Sequence, residues 1–237
     1  LARDIENLFQ KLGVSKDSEI VDVAAGSGFP ALALVKDGYR VTCTDGAADE
    51  VALFNRKAKE YNLTVSCDQV LWSSLPNRFK ENSLDFLFCR GNSFIYAAGG
   101  WNEMRTVDSK ESLKKFKETL TIFYTLLKPG GWLYIDKFRD SETTSRELVA
   151  QIKVANGAPE NLIFWRERFP EKKVRQASMI RETAVGEKKL PNITYDLLGP
   201  ELESMMADIG FINTQKIQLP SEHHFDVWIA QKQNATP

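Results

Sequence analysis

The chain has 237 residues, 43% of them hydrophobic, so it can bury one substantial core without disulfide or metal staples. Lysine plus arginine (31) nearly balances aspartate plus glutamate (32), a formal charge of −1, and no basic excess points to a nucleic-acid backbone as partner. The three cysteines, Cys43, Cys67 and Cys89, are odd in number and far apart, which argues against a disulfide framework or a zinc site and favours a reducing, cytoplasmic setting; no run of about 18 apolar residues marks a membrane span, and no signal-peptide pattern opens the chain.

Apolar residues at Ile5, Leu8, Phe9 and Leu12 keep helical spacing, and Gly13 stands where such a helix closes. EIVDVA (19–24) has the length and β-branching of a short buried strand, and a glycine loop and a helix over 30–36 follow, with Pro30 in its first turn and Gly38 beyond its end. A second strand over 40–45 and an amphipathic helix over 48–62 lead to a third strand near 63–67. Residues 83–94 give a fourth strand running into a Gly-Asn loop; a helix over 109–127 ends at Lys128-Pro-Gly-Gly, and WLYIDKF (132–138) is the fifth strand. Strands alternating with helices predict an α/β fold, a mainly parallel sheet with helices on both faces. The last third changes pattern. Alternating, β-branched segments over about 160–197 predict an antiparallel insertion, a small lid, before a helix over 199–209 and two closing strands, 212–219 and 225–231. No repeat or linker interrupts residues 1–237, which are expected to form a single domain.

The loop Gly26-Ser-Gly28-Phe-Pro-Ala31 fits the G-x-G-x-x-G/A dinucleotide pattern, with Asp45 ending the second strand 19 residues beyond Gly26. Bare glycines let backbone approach a ligand, and an acid at that place accepts hydrogen bonds from ribose hydroxyls, so any adenosine-bearing cofactor suits the arrangement. Asp22 is the discriminating residue. It puts a carboxylate in the first strand where the nicotinamide pattern usually carries an apolar residue, and a carboxylate there can attract a cation; the alternative is an acid satisfied by nearby backbone amides.

The spacing Asp22-x-Ala24-x-Gly26-x-Gly28 resembles the acid-x-Gly-x-Gly-x-Gly loop of class I S-adenosylmethionine-dependent methyltransferases, with Ala24 in place of a glycine. Trp72 after the third strand, RGNSF after the fourth and LKPGGWLYID around the fifth extend the resemblance to the glycine and sarcosine N-methyltransferase group, over about residues 15–140 and more loosely over the insertion. The resemblance implies a Rossmann-like seven-stranded sheet and S-adenosylmethionine as cofactor. It implies that Asp22, Ala24, Gly26, Gly28, Asp45 and Gly46 hold the cofactor, and that Asp68, Gln69, Leu71 and Trp72 frame its adenine, Leu71 standing where an asparagine is common. Arg90-Gly91-Asn92-Ser93 would lie beside the methyl group, with Arg90 at the cofactor and Asn92 and Ser93 orienting the acceptor. The family's Asp-His-Arg after the fifth strand, whose arginine grips a substrate carboxylate, is Asp136-Lys137-Phe138-Arg139 here, so Arg139 falls one residue late and Lys137 or Arg90 are the alternative cations.

Methyl transfer from a sulfonium needs an amine lone pair brought into line more than it needs a base, and positioning alone can supply about 7 to 11 kcal/mol. His223 and His224, the only histidines, therefore read as structural. Tyr124-x-x-x-Lys128 matches a dehydrogenase spacing, but it closes a helix where an aromatic packing residue and a C-terminal cation are also expected. Tyr96, Trp72 and Trp101 are either packing residues or walls for an onium group. The expected activity is methyl transfer to the nitrogen of a small amine or amino acid, the partner being that small molecule and neither nucleic acid nor membrane, and a homo-oligomer being compatible. The competing readings are a nucleotide-dependent oxidoreductase and a non-catalytic cofactor-binding module.

Overall fold

The computed structural model describes residues 1–99, 107–141, 144–152 and 159–234, and it divides into two compact units. The first comprises 1–94, 117–138 and 200–237; the second comprises 95–116 and 139–199.

The first unit opens with helix α1 (Ala2–Leu12), whose Ile5, Leu8 and Phe9 turn inward. Gly13, at φ 74°, ends it in the left-handed conformation that glycine adopts without strain, and the Val14 amide then caps the Phe9 carbonyl at 2.9 Å. Strand β1 (Ile20–Asp22), helix α2 (Ala31–Lys36), strand β2 (Val41–Asp45), helix α3 (Ala48–Glu60), strand β3 (Cys67–Gln69), the short helix α4 (Leu75–Arg78) and strand β4 (Leu84–Cys89) follow in alternation. Helix α5 (Ser109–Leu126) leads into β5 (Leu127–Phe138). The seven-stranded sheet has the order β10-β11-β5-β4-β1-β2-β3, where β11 (Phe225–Lys232) runs antiparallel between β5 and β10 (Phe211–Ile217), and helix α6 (Gly199–Ile209) precedes β10. The strands from β3 to β5 pair in parallel, so their carboxyl ends gather Asp22, Asp45, Gln69, Cys89 and Phe138 along one edge. Ligands of open α/β sheets bind at that edge. Phe9, Phe86, Phe88 and Tyr134 form a buried aromatic run under α1, with ring centroids 4.6 to 5.6 Å apart, and fix the middle of the sheet.

The expected mainly parallel α/β sheet is the observed one, and of its two closing strands β11 runs antiparallel; several boundaries differ, each for a local reason. The first strand stops at Asp22 instead of 24, because the chain turns there into the glycine loop. The third strand starts at Cys67, where 63–67 was expected. Leu63 donates to the Ala58 carbonyl to close α3, and the Asn55 side chain then clamps both the amide and the carbonyl of Cys67. The fourth strand ends at Cys89, and residues 93–98 coil into 3-10 turns instead of continuing it. The fifth strand already begins at Leu127, so Lys128-Pro-Gly-Gly lies inside its irregular start.

The second unit contains an antiparallel sheet in simple up-and-down order: β6 (Thr144–Ile152), β7 (Glu160–Phe169), β8 (Val174–Thr183) and β9 (Gly186–Tyr195). Its first strand begins well before the expected 160, because TSRELVAQI alternates charged and apolar residues too irregularly to be legible as a strand. Asp196 is buried between Arg168 Nε (2.7 Å) and Arg175 Nε (3.0 Å). These arginines also donate to the carbonyls of Asp140 and Arg139, and the Gly199 amide donates to Asp140 Oδ2 at 2.8 Å, which fastens both ends of the insertion to its own sheet.

Candidate active site

The glycine loop is a backbone structure held by two carboxylates. Val23 donates to the Phe88 carbonyl and Ala25 to the Thr44 carbonyl, so the chain leaves β1 still bonded to both neighbouring strands. Asp22 Oδ1 accepts the Ala24 amide at 3.1 Å, and Asp45 Oδ2 accepts the Gly26 amide at 2.9 Å. Gly28 has φ +106°, and a Cβ there would meet Leu32 Cδ1 at 2.4 Å, so the position admits only glycine. Gly26, at φ +50°, is different: a Cβ would meet nothing nearer than Glu50 Oε2 at 3.9 Å, so its backbone is open to a ligand.

Asp45 is half-buried at the end of β2, and its Oδ1 accepts the Ala47 amide at 2.8 Å. A carboxylate has about four acceptor positions, and these two loop amides use two of them. Gln69 Nε2 donates to the Gly46 carbonyl at 3.3 Å, and Leu71, 62% exposed, packs its Cδ2 3.3 Å from where a Cβ of Gly46 would stand. Phe29, in the glycine loop, is 56% exposed. An open glycine, an acid with spare acceptor positions and two bare apolar side chains are the donor set an adenosine requires, so the residues present fit such a cofactor.

Asp68 is paired with Arg78 at 3.0 Å, and Trp72 Nε1 donates to the Val23 carbonyl at 2.7 Å while its ring meets Phe94 and Phe123. Trp72 thus pins the segment after β3 to the loop entry, whichever face it offers a ligand. Beyond β4, Arg90 donates to Glu222 at 2.7 Å, has its Nε 3.7 Å from Asp136 Oδ2, and lies 5.7 Å from the Phe29 ring. Asn92, at φ 58°, donates its amide to Asp136 Oδ1 at 2.7 Å and accepts the Phe138 amide on its own Oδ1 at 3.0 Å. Its side-chain oxygen is therefore engaged within the protein. Burial pushes the carboxyls of Asp22 and Asp136 up to about 7, with Arg90 opposing the shift in both.

Of the alternative cations, Lys137 is buried with its ammonium on the Phe138 carbonyl and 5.2 Å from the Trp228 ring. Arg139 belongs to the second unit, and Trp101 lies outside the described residues. His223 and His224 are exposed in the loop before β11. The Tyr124 and Lys128 pair faces the opposite end of the sheet: Lys128 binds both oxygens of Asp85 at 2.7 and 2.8 Å near the start of β4, and Tyr124 packs edge-on against Phe211. This placement removes the dehydrogenase dyad. Glu222 is the member of the site that the sequence did not single out, since 132 residues separate it from Arg90.

Residues 20–131, which include this loop and the strand ends, match the model of the methyltransferase domain family. This segment, a little under half of the chain, is similar to a methyltransferase domain. The chain is 30% identical over 128 residues to the glycine/sarcosine N-methyltransferase of Halorhodospira halochloris, covering 54% of this chain and 42% of that one. It is 25% identical over 166 residues to the sterol 24-C-methyltransferase ERG6 of Saccharomyces cerevisiae, covering 67% and 39%. The chain therefore spans about two-fifths of the length of these relatives. In fold it is similar to the CcbJ methyltransferase from Streptomyces caelestis, with a TM-score of 0.70 at 14% identity over 98% of this chain and 89% of that one. No helix among the described residues is long and apolar enough to cross a membrane.

Proposed function

We propose that the protein transfers a methyl group from S-adenosylmethionine to the nitrogen of a small amine or amino acid. The observation that carries the reading is the open backbone of Gly26 beside the half-exposed Asp45, in the segment that matches the methyltransferase domain model, in a chain similar to a glycine/sarcosine N-methyltransferase. S-adenosylmethionine supplies an electrophilic methyl group on a sulfonium. The chain's own part is to hold, orient and dehydrate. Asp45 serves the ribose hydroxyls; Gly26 and Gly28 keep side chains out of the way; Gly46, Gln69 and Leu71 offer the adenine a polar and an apolar side; Asp22 and Asp68 are the acids at the ends of β1 and β3. Ala24 keeps the loop entry small, and Trp72 holds it in place.

The Arg90-Gly91-Asn92-Ser93 loop lies where an acceptor would be presented. Asn92 shapes this loop through its ties to Asp136 and Phe138, and Ser93 offers a hydroxyl for orienting an amine. An amine that reacts as its neutral form needs orientation more than a base, in keeping with exposed histidines outside this loop. Arg139 is the cation proposed for an acceptor carboxylate. The test is calorimetric titration with S-adenosylmethionine, S-adenosylhomocysteine and NADH, followed by mass detection of products from glycine, sarcosine, dimethylglycine, simple amines and a sterol. A gain of one methyl on an amine supports the reading. Methylation of the sterol alone moves the acceptor atom from nitrogen to carbon, and binding of NADH alone overturns the cofactor.

A further inference from the structure

The glycine loop is fastened firmly at its entry, where Asp22 accepts the Ala24 amide and Asp45 accepts the Gly26 amide. Inside the loop the Gly28 amide donates to the Ala25 carbonyl at 2.9 Å. At its exit stands Phe29, the one large side chain of Gly26-Ser27-Gly28-Phe29, and at 56% exposed its ring is fixed little by the core. The guanidinium carbon of Arg90 lies over that ring, 5.7 Å from its centroid, within the range of a cation–π contact.

Arg90 is itself held in place. It follows the last residue of β4, its Nη2 donates to Glu222 at 2.7 Å, and its Nε lies 3.7 Å from Asp136 Oδ2. The loop it opens is tied to the same Asp136 by the Asn92 amide at 2.7 Å. A guanidinium is planar, so its edge can donate to a carboxylate while its face meets a ring; an ammonium offers no such face. We propose that Arg90 is a positioning residue that ties the exit of the glycine loop, through the Phe29 ring, to the loop over 90–93. In this role Arg90 acts on a ligand of the glycine loop through Phe29 and not by touching it. The loop proposed for the cofactor and the loop proposed for the acceptor are thereby kept in one relative position. The inference rests on the proposed function for its ligand, and on the ligand-free chain for its second readout.

The experiment measures S-adenosylhomocysteine affinity by calorimetry and, in the ligand-free protein, hydrogen exchange of the Gly26 and Gly28 amides. It compares the wild type with Phe29→Leu, Phe29→Trp, Arg90→Lys and the double variant Phe29→Leu/Arg90→Lys. Leucine keeps an apolar side chain and removes the π face; lysine keeps the charge and removes the planar group. Each of these two changes is expected to weaken the ligand about three- to tenfold and to speed exchange of both amides by a similar factor. The double variant should lose little more than either single one, and Phe29→Trp, whose ring is the better face for a cation, should stay near the wild type. Losses that multiply in the double variant would show that the two side chains act separately and overturn the inference. Arg90→Lys also disturbs the contact with Glu222, and should it fail to fold, the phenylalanine series decides. Phe29→Leu with wild-type exchange overturns the inference whatever its affinity, since a ring that merely touched the ligand would leave the ligand-free loop unchanged. A wild type that binds no S-adenosylhomocysteine removes the proposed cofactor, and the exchange comparison then decides the inference by itself.

Discussion

The Asn92 amide donates to Asp136 Oδ1 at 2.7 Å, so the loop after β4 hangs from a carboxylate at the end of β5. The asparagine returns the contact by accepting the Phe138 amide at 3.0 Å. Asn92→Ala leaves that amide without its partner and places a Cβ-bearing residue without a side-chain bond at φ 58°. A loss of about 1 to 3 kcal/mol in urea unfolding is expected, together with slower turnover. Loss of turnover at unchanged stability would instead mean that the side chain acts on the acceptor directly.

Asp45→Ala removes the acceptor for the Gly26 and Ala47 amides as well as the carboxylate proposed to serve a ribose. Cofactor affinity should fall by about 1 to 3 kcal/mol, roughly a factor of 5 to 150, as read by calorimetry. Asp45→Asn keeps an oxygen for one of the amides and should lose less. Unchanged affinity in the alanine variant would take Asp45 out of the site.

Much of this loop is legible in the amino-acid sequence alone. Small residues at 24, 26 and 28 between two acids can be read in one stretch of chain, because the physics that demands them is local: backbone conformation and the absence of side chains. The Arg90 cluster was not legible, because its partners come from β5 and the loop before β11, and only sheet order brings them together. The same reason hid β6. Its residues are sorted by cross-strand partners such as Glu147 with Arg166, which a single-strand pattern cannot reveal. The third strand was misplaced because Asn55, a helix residue, decides where the ladder begins.

Trp72→Phe preserves the ring contacts with Phe94 and Phe123 and deletes the hydrogen bond to the Val23 carbonyl. Thermal or urea unfolding should record a cost of about 1 kcal/mol, and cofactor affinity should fall as the loop entry loosens. A stability loss with unaltered affinity would confine Trp72 to packing.

Asp22 and Asp136 make the ligand-free protein sensitive to pH in a direction opposite to that of a salt-bridged acid. Burial pushes both carboxyls from an ordinary 3.8 up to about 7, so between these values the folded chain holds protons that the unfolded chain has released. Their contribution to stability is complete below about pH 4 and is lost as pH rises through about 7. Other groups titrate as well, so the comparison that isolates these two is wild type against Asp22→Asn and Asp136→Asn. Asparagine cannot ionise, and each variant should lose less stability than the wild type between about pH 5 and 8, measured by urea unfolding at fixed salt. Parallel profiles would place both carboxyls back in the ordinary range, with Arg90 strong enough to hold them ionised.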